Sequence, residues 1–117
     1  MTIIVMDDND EVRNVVVRCL KKEGYAVLDF PDARPALDTV NFADVDLLIT
    51  DLVMPTPGEE AVKILREQGV QIPVIAMSAT ITEEKEQYLK SIGVQQILQK
   101  PFDFVEFRRL VNTFQPS

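Results

Sequence analysis

Asp51 stands at the end of an apolar, β-type run, Val45-Asp46-Leu47-Leu48-Ile49-Thr50, and is followed by Leu52-Val53-Met54-Pro55. A second apolar run, Thr2-Ile3-Ile4-Val5-Met6, also ends on carboxylates, Asp7 and Asp8. If the two runs are neighbouring parallel strands, three acids meet at one edge of a sheet. Two unit charges about 4 Å apart repel by roughly 4 kcal/mol at an effective dielectric near 20. Such a cluster calls for a cation, shifted pKa values or a chemical purpose. Ser78 and Lys100 close two further strand-like runs, and Pro101 follows Lys100. Three acids, a hydroxyl and a base suit Mg²⁺, a hard cation that takes carboxylates, waters and a phosphate. A carboxylate can also attack phosphorus and form an aspartyl phosphate. Phosphoryl transfer asks for an in-line nucleophile and compensation of charge on the transferred oxygens. Lys100 and the Ser78 hydroxyl are the right kinds of group for that compensation.

The elements that must position these groups alternate along the whole chain. Ile3 to Met6 is a continuous apolar run, as in a strand buried on both faces. From about Asp10 to Glu23, Val12, Val15, Val16, Cys19 and Leu20 share one helical face, and Gly24 is a plausible stop. Tyr25 to Phe30 reads as a strand. Ala33, Ala36, Leu37 and Val40 give a short helix with Pro35 in its first turn, where proline is tolerated. Val45 to Thr50 is the third strand, followed by a loop with Pro55, Pro57 and Gly58. Glu59 to Glu67 is a helix closed by Gly69. Ile72 to Met77 is the fourth strand. Thr82-Glu83-Glu84-Lys85 opens a helix that ends near Gly93. Gln96 to Gln99 is a short fifth strand. From Asp103, the residues Phe104, Phe107, Leu110, Val111 and Phe114 form the stripe of a last helix. Strand alternating with helix argues an α/β, doubly wound parallel sheet of five strands with five helices and right-handed crossovers. In such sheets ligands bind beyond the carboxyl ends of the strands. Those ends carry Asp7, Asp8, Asp51, Ser78 and Lys100.

Composition narrows the function. A chain of 117 residues fits one domain, read here as 1–117. The net charge of −7 argues against a nucleic-acid or anionic-membrane surface. Histidine is absent, which removes Ser-His-Asp and Cys-His catalysis, most zinc sites and any phosphohistidine on this chain. The single cysteine, Cys19, permits no internal disulfide and reads as a small buried core residue. No run approaches the ~20 apolar residues of a membrane span. A reducing cytoplasm is the expected compartment.

Each site residue also has an ordinary reading. Asp7, Asp8 and Asp10 precede a helix and could serve as N-cap and dipole partners. Asp51 could be a loop acid, Ser78 a turn residue and Lys100 a solvated charge. The ordered set is harder to dismiss, because it places its members at the ends of four different strands.

Val5-Met6-Asp7-Asp8, Leu48-Ile49-Thr50-Asp51-Leu52-Val53-Met54-Pro55, Val74-Ile75-Ala76-Met77-Ser78-Ala79 and Gln99-Lys100-Pro101-Phe102, in that order, resemble the receiver domain of two-component response regulators. The resemblance covers roughly Thr2 to Phe114. It implies a flavodoxin-like strand order, 2-1-3-4-5. It also implies that Asp51 is the phosphoacceptor, taking a phosphoryl group from the phosphohistidine of a histidine kinase or histidine phosphotransfer protein. By the same resemblance Asp8, Asp51 and the Val53 main-chain carbonyl bind Mg²⁺ directly, and Asp7 acts through a metal-bound water. Ser78 hydrogen-bonds a phosphoryl oxygen. Lys100 pairs with Asp51 and then with the phosphoryl group, and the Lys100–Pro101 peptide is cis. The output domain or partner protein is not named by these residues. The exposed faces of the last two helices are candidates for partner or homodimer contacts.

Three departures from the family pattern carry expectations of their own. Ile97 stands where an aromatic residue usually swings inward, so output is expected through backbone and loop movement. Thr56-Pro57-Gly58-Glu59-Glu60 replaces a more glycine-rich loop and should be stiffer. Val53 and Thr80 occupy the variable positions two residues after Asp51 and Ser78. Apolar Val53 cannot orient an attacking water, so slow self-dephosphorylation is expected. The alternative function is a receiver-like interaction module that works without phosphorylation. A phosphatase proper is disfavoured, because Val53 stands where such enzymes place a second acid.

Overall fold

The computed structural model describes residues 1–116. In chain order the elements are β1 (Thr2–Met6), α1 (Asp10–Lys22), β2 (Ala26–Phe30), α2 (Ala33–Thr39), a 3-10 turn (Phe42–Asp44), β3 (Leu47–Asp51) and α3 (Gly58–Glu67). They continue with β4 (Val74–Ser78), α4 (Glu83–Ser91), β5 (Gln96–Gln99) and α5 (Phe104–Asn112). The five strands form one sheet in the order β2-β1-β3-β4-β5, and every pairing is parallel. This is the flavodoxin-like order that the family resemblance implies.

Strand alternation explains the two cores. Ile3, Val5, Leu47, Ile49, Ile75 and Met77 face Val16 and Leu20 of α1 and Phe107 and Val111 of α5. Ile4, Met6, Leu48, Val74 and Ala76 face α2, α3 and α4, meeting Ala33, Ala36, Ala61, Val62, Leu65 and Leu89. Helices cover both faces, so the central strands β1, β3 and β4 read as unbroken apolar runs. The edge strands β2 and β5 are only partly covered.

Several boundaries differ from the sequence reading, each for a local reason. β3 starts at Leu47, not Val45, because Asn41 caps the 3-10 turn through the Ala43 amide and Val45 closes it. β4 starts at Val74, not Ile72. Pro73 has no amide to donate, and only its carbonyl joins the ladder, accepting from the Leu48 amide at 3.0 Å. The buried stripe of α1 is rotated from the expected one. Val16 and Leu20 are its centre and Val17 packs at its flank, while Val15 is 45% exposed. Cys19 is half-buried rather than a core residue, and burial raises its thiol pKa.

The register carries the geometry that matters. Met6 of β1 lies opposite Thr50 of β3, so the next residues, Asp7 and Asp51, reach the sheet edge side by side. Asp51 lies opposite Met77 of β4, and Ser78 lies opposite Gln99 of β5, so Ser78 and Lys100 reach the same edge.

Candidate functional site

Each site residue is held by its strand and by the first turn that follows. The cap of α1 is Asn9, which accepts the Val12 amide at 3.0 Å. Asp7, Asp8 and Asp10 are therefore not its N-cap. Asp7 is fully buried, and its Oδ1 accepts the Asn9 amide at 2.9 Å. Arg13, on the first turn of α1, donates to the Asp7 carbonyl at 2.8 Å and pairs with Asp29 after 3.0 Å and Asp10 after 2.7 Å. It ties the end of β1 to α1 and β2. Sequence reasoning offers no sign of this role, because an arginine three residues after an aspartate on a helix reads as a surface pair.

Asp51 is buried at the end of β3, where its Oδ1 accepts the Leu52 amide at 2.9 Å. Gly58, the first residue of α3, packs directly beneath it. A Cβ there would lie 2.3 Å from the Asp51 carbonyl oxygen and 2.8 Å from Thr50 Oγ1. The loop between them is fastened from the other side, because the Thr56 amide donates to Asp32 Oδ1 at 2.7 Å. Asp32 also caps α2 through the Arg34 amide. Burial tends to raise its carboxyl pKa, but the bonds from Thr56, Arg34 and Ala33 outweigh it and hold the value below the ordinary range.

One carboxylate oxygen from each of Asp7, Asp8 and Asp51 falls within 4.8 Å of the others. Asp8 is exposed, so the cluster opens to solvent on that side. Among the described residues a single ammonium faces it: Lys100 Nζ lies 2.8 Å from Asp7 Oδ2 and 3.5 Å from Asp51 Oδ2. Lys100 therefore pairs more closely with Asp7 than with Asp51, the partner that the family resemblance implies. Burial raises the Asp51 pKa; Lys100 lowers it, Asp7 raises it, and the Leu52 and Val53 amides lower it, with a net rise. Three acids against one lysine leave negative charge uncompensated, and the donors are all oxygens. That set fits a hard divalent cation.

Ser78 ends β4 almost completely buried. Its hydroxyl donates to the Thr80 carbonyl at 2.7 Å and accepts the Thr80 amide at 3.3 Å. The Lys85 ammonium, from the first turn of α4, approaches Ser78 Oγ at 3.4 Å. In the sequence Lys85 is legible only as part of a helix start. The Ser78 carbonyl accepts the Lys100 amide at 2.8 Å, joining the ends of β4 and β5, and the Lys100–Pro101 peptide is cis. Val53 lies in the loop after β3 and is 73% exposed. Ile97 of β5 is half-buried and packs against the core on the α2–α4 side. Among the described residues no helix is long and apolar enough to cross a membrane.

A family model described as the response regulator receiver domain matches residues 3–112. The chain is 36% identical over 113 residues to the sensor histidine kinase TmoS of Ectopseudomonas mendocina, covering 94% of this chain and 12% of that protein. It is 34% identical over 110 residues to the alkaline phosphatase synthesis transcriptional regulatory protein SphR of Synechococcus elongatus, covering 86% of this chain and 43% of that one. The chain thus spans less than half the length of either relative. The solved structure of chemotaxis protein CheY4 of Vibrio cholerae superposes with a TM-score of 0.89 at 29% identity, over 97% of this chain and 98% of that one.

Proposed function

The chain belongs to the response regulator receiver domain family, and from that premise we propose that it is a Mg²⁺-dependent phosphoacceptor switch with Asp51 as the acceptor. One observation carries the reading: three carboxylates converge at the carboxyl edge of the sheet around the single ammonium of Lys100. Asp8, Asp51 and the Val53 carbonyl are the inner ligands we assign to the metal, with Asp7 behind them. When bound, Mg²⁺ supplies positive charge that offsets the carboxylates and the transferred oxygens.

The chain's own residues do the rest. An Asp51 carboxylate oxygen attacks the phosphorus of a partner's phosphohistidine. The new P–O bond forms as the P–N bond breaks, and the imidazole nitrogen keeps the electron pair and takes a proton from solvent. Lys100 is close enough to follow the charge onto a phosphoryl oxygen. The Ser78 hydroxyl leaves the Thr80 carbonyl and donates to another phosphoryl oxygen. That exchange pulls the segment before α4 toward Asp51 and biases two conformations. Ile97 cannot swing a ring hydroxyl, so the report runs through this backbone.

We read the whole chain as one such domain, working in the cytoplasm with a histidine kinase or histidine phosphotransfer protein as donor. Acetyl phosphate with Mg²⁺ is the direct test. Label is expected on the wild type and absent from Asp51→Asn or after chelation. A wild type that stays unlabelled overturns the proposal and favours an interaction module that works without phosphorylation.

A further inference from the structure

We propose that Lys85 is a second cation of the phosphoryl site, one that binds the phosphorylated form of Asp51 together with Ser78 and draws the first turn of α4 with it. The inference rests on the phosphoacceptor reading above.

Lys85 sits where its own helix gives it little reason to be. It is the third residue of α4, and its backbone amide is bonded to the capping Thr82 hydroxyl at 3.1 Å. Positive charge in the first turn opposes the helix dipole. Glu83, Glu84 and Glu86 surround it in sequence, yet among the described residues no carboxylate lies within ion-pair distance of its ammonium. Glu86 pairs instead with Lys90 at 3.0 Å. The half-buried Lys85 side chain runs back toward the sheet and stops 3.4 Å from Ser78 Oγ.

That oxygen is the group that must change partners on phosphorylation. It now gives its proton to the Thr80 carbonyl, and the lysine approaches its lone-pair side. When the hydroxyl turns to a phosphoryl oxygen, the ammonium beside it comes within reach of the same group. A lysine is suited to the move, with a compact charge on a flexible stem. It also fills the gap left by Ile97. A charge on α4 takes the place of a ring on β5 as the side chain that responds to activation, and the helix that carries it moves as a consequence.

The test is a beryllofluoride titration at saturating Mg²⁺, followed by amide NMR because the chain has no tryptophan. Wild type, Lys85→Gln and Lys85→Arg are compared. Lys85→Gln is expected to bind beryllofluoride about tenfold more weakly, the size of one charge-assisted hydrogen bond. Its Mg²⁺ affinity and urea midpoint should match wild type, and the shifts of the Glu83–Glu86 amides on binding should be lost. Lys85→Arg should restore both affinity and shifts. Lys85→Gln binding beryllofluoride as wild type does, with the same α4 shifts, overturns the role of Lys85 and leaves the phosphoacceptor reading intact. A wild type that does not bind beryllofluoride overturns both.

Discussion

The Lys100 ammonium lies 2.8 Å from the fully buried carboxylate of Asp7 and 3.5 Å from that of Asp51, so one cation serves two acids and serves Asp7 first. Removing it leaves a buried charge without its partner. Lys100→Met is expected to lower unfolding free energy by about 2–4 kcal/mol, somewhat less than breaking a fully buried pair because the ammonium is partly exposed. Added Mg²⁺ should recover part of the loss, and Lys100→Met/Asp7→Asn should be more stable than the single Lys100→Met. Urea denaturation of the variants with and without Mg²⁺ measures all three; additive losses would mean that the two residues do not interact.

Asp51 gives the stability a pH dependence of predictable sign. Burial, and after it Asp7, outweighs Lys100 and the two amides, so the folded protein holds the Asp51 proton more readily than the unfolded chain. Above the folded pKa the ionised carboxylate opposes folding. As pH falls through that value toward the ordinary 3.8, the folded state protonates first and this opposition is relieved. Asp51→Asn should therefore be more stable than wild type at neutral pH, and the advantage should shrink as pH approaches 3.8. Denaturation midpoints across that window test the sign, and an advantage that grows on acidification contradicts it.

Gly58 leaves no room for a methyl group against the Asp51 carbonyl. Gly58→Ala must push the start of α3 away from the end of β3, at a cost of about 1–3 kcal/mol. Because the strain falls on the Asp51 backbone itself, labelling by acetyl phosphate should slow as well. Stability loss with an unchanged labelling rate would show that α3 yields without disturbing the acceptor.

Val53 is exposed beside the acceptor and offers no hydrogen bond to water from its side chain. A phosphorylated wild type is expected to lose its label slowly. Val53→Asn gives an attacking water a partner and should shorten the phosphoryl lifetime by about tenfold, less than the roughly hundredfold or more of a group that also transfers the proton. Lifetimes of purified, labelled protein in the absence of any phosphatase decide it.

The layer order, the parallel sheet and the convergence of Asp7, Asp8, Asp51, Ser78 and Lys100 were legible because they follow from periodicity and from the rule that strand ends share an edge. Less legible was anything set by a contact between distant segments. Arg13 reads as a helix surface charge until β2 brings Asp29 to it. Lys85 reads as a helix start until β4 places Ser78 beneath it. Asp32 caps α2, and nothing local in the sequence says that it also holds Thr56. Val45 has a strand-like side chain, so β3 reads two residues too long at its start, whereas the Asn41 cap decides the backbone there. Val15 reads as buried and is exposed, because periodicity gives the width of a stripe but not its centre.

Asp32 holding Thr56 has a consequence for the direction of signalling. On one flank of the acceptor the chain is moored twice, by Asp32 to the loop after β3 and by Arg13 to the end of β1. On the other flank the Ser78 hydroxyl is bonded, among the described residues, only to its own turn and to one flexible lysine. A disturbance at Asp51 thus has a stiff bank and a yielding one. On the phosphoacceptor reading proposed above, movement is expected toward α4, and a partner that senses it is expected to bind on that side.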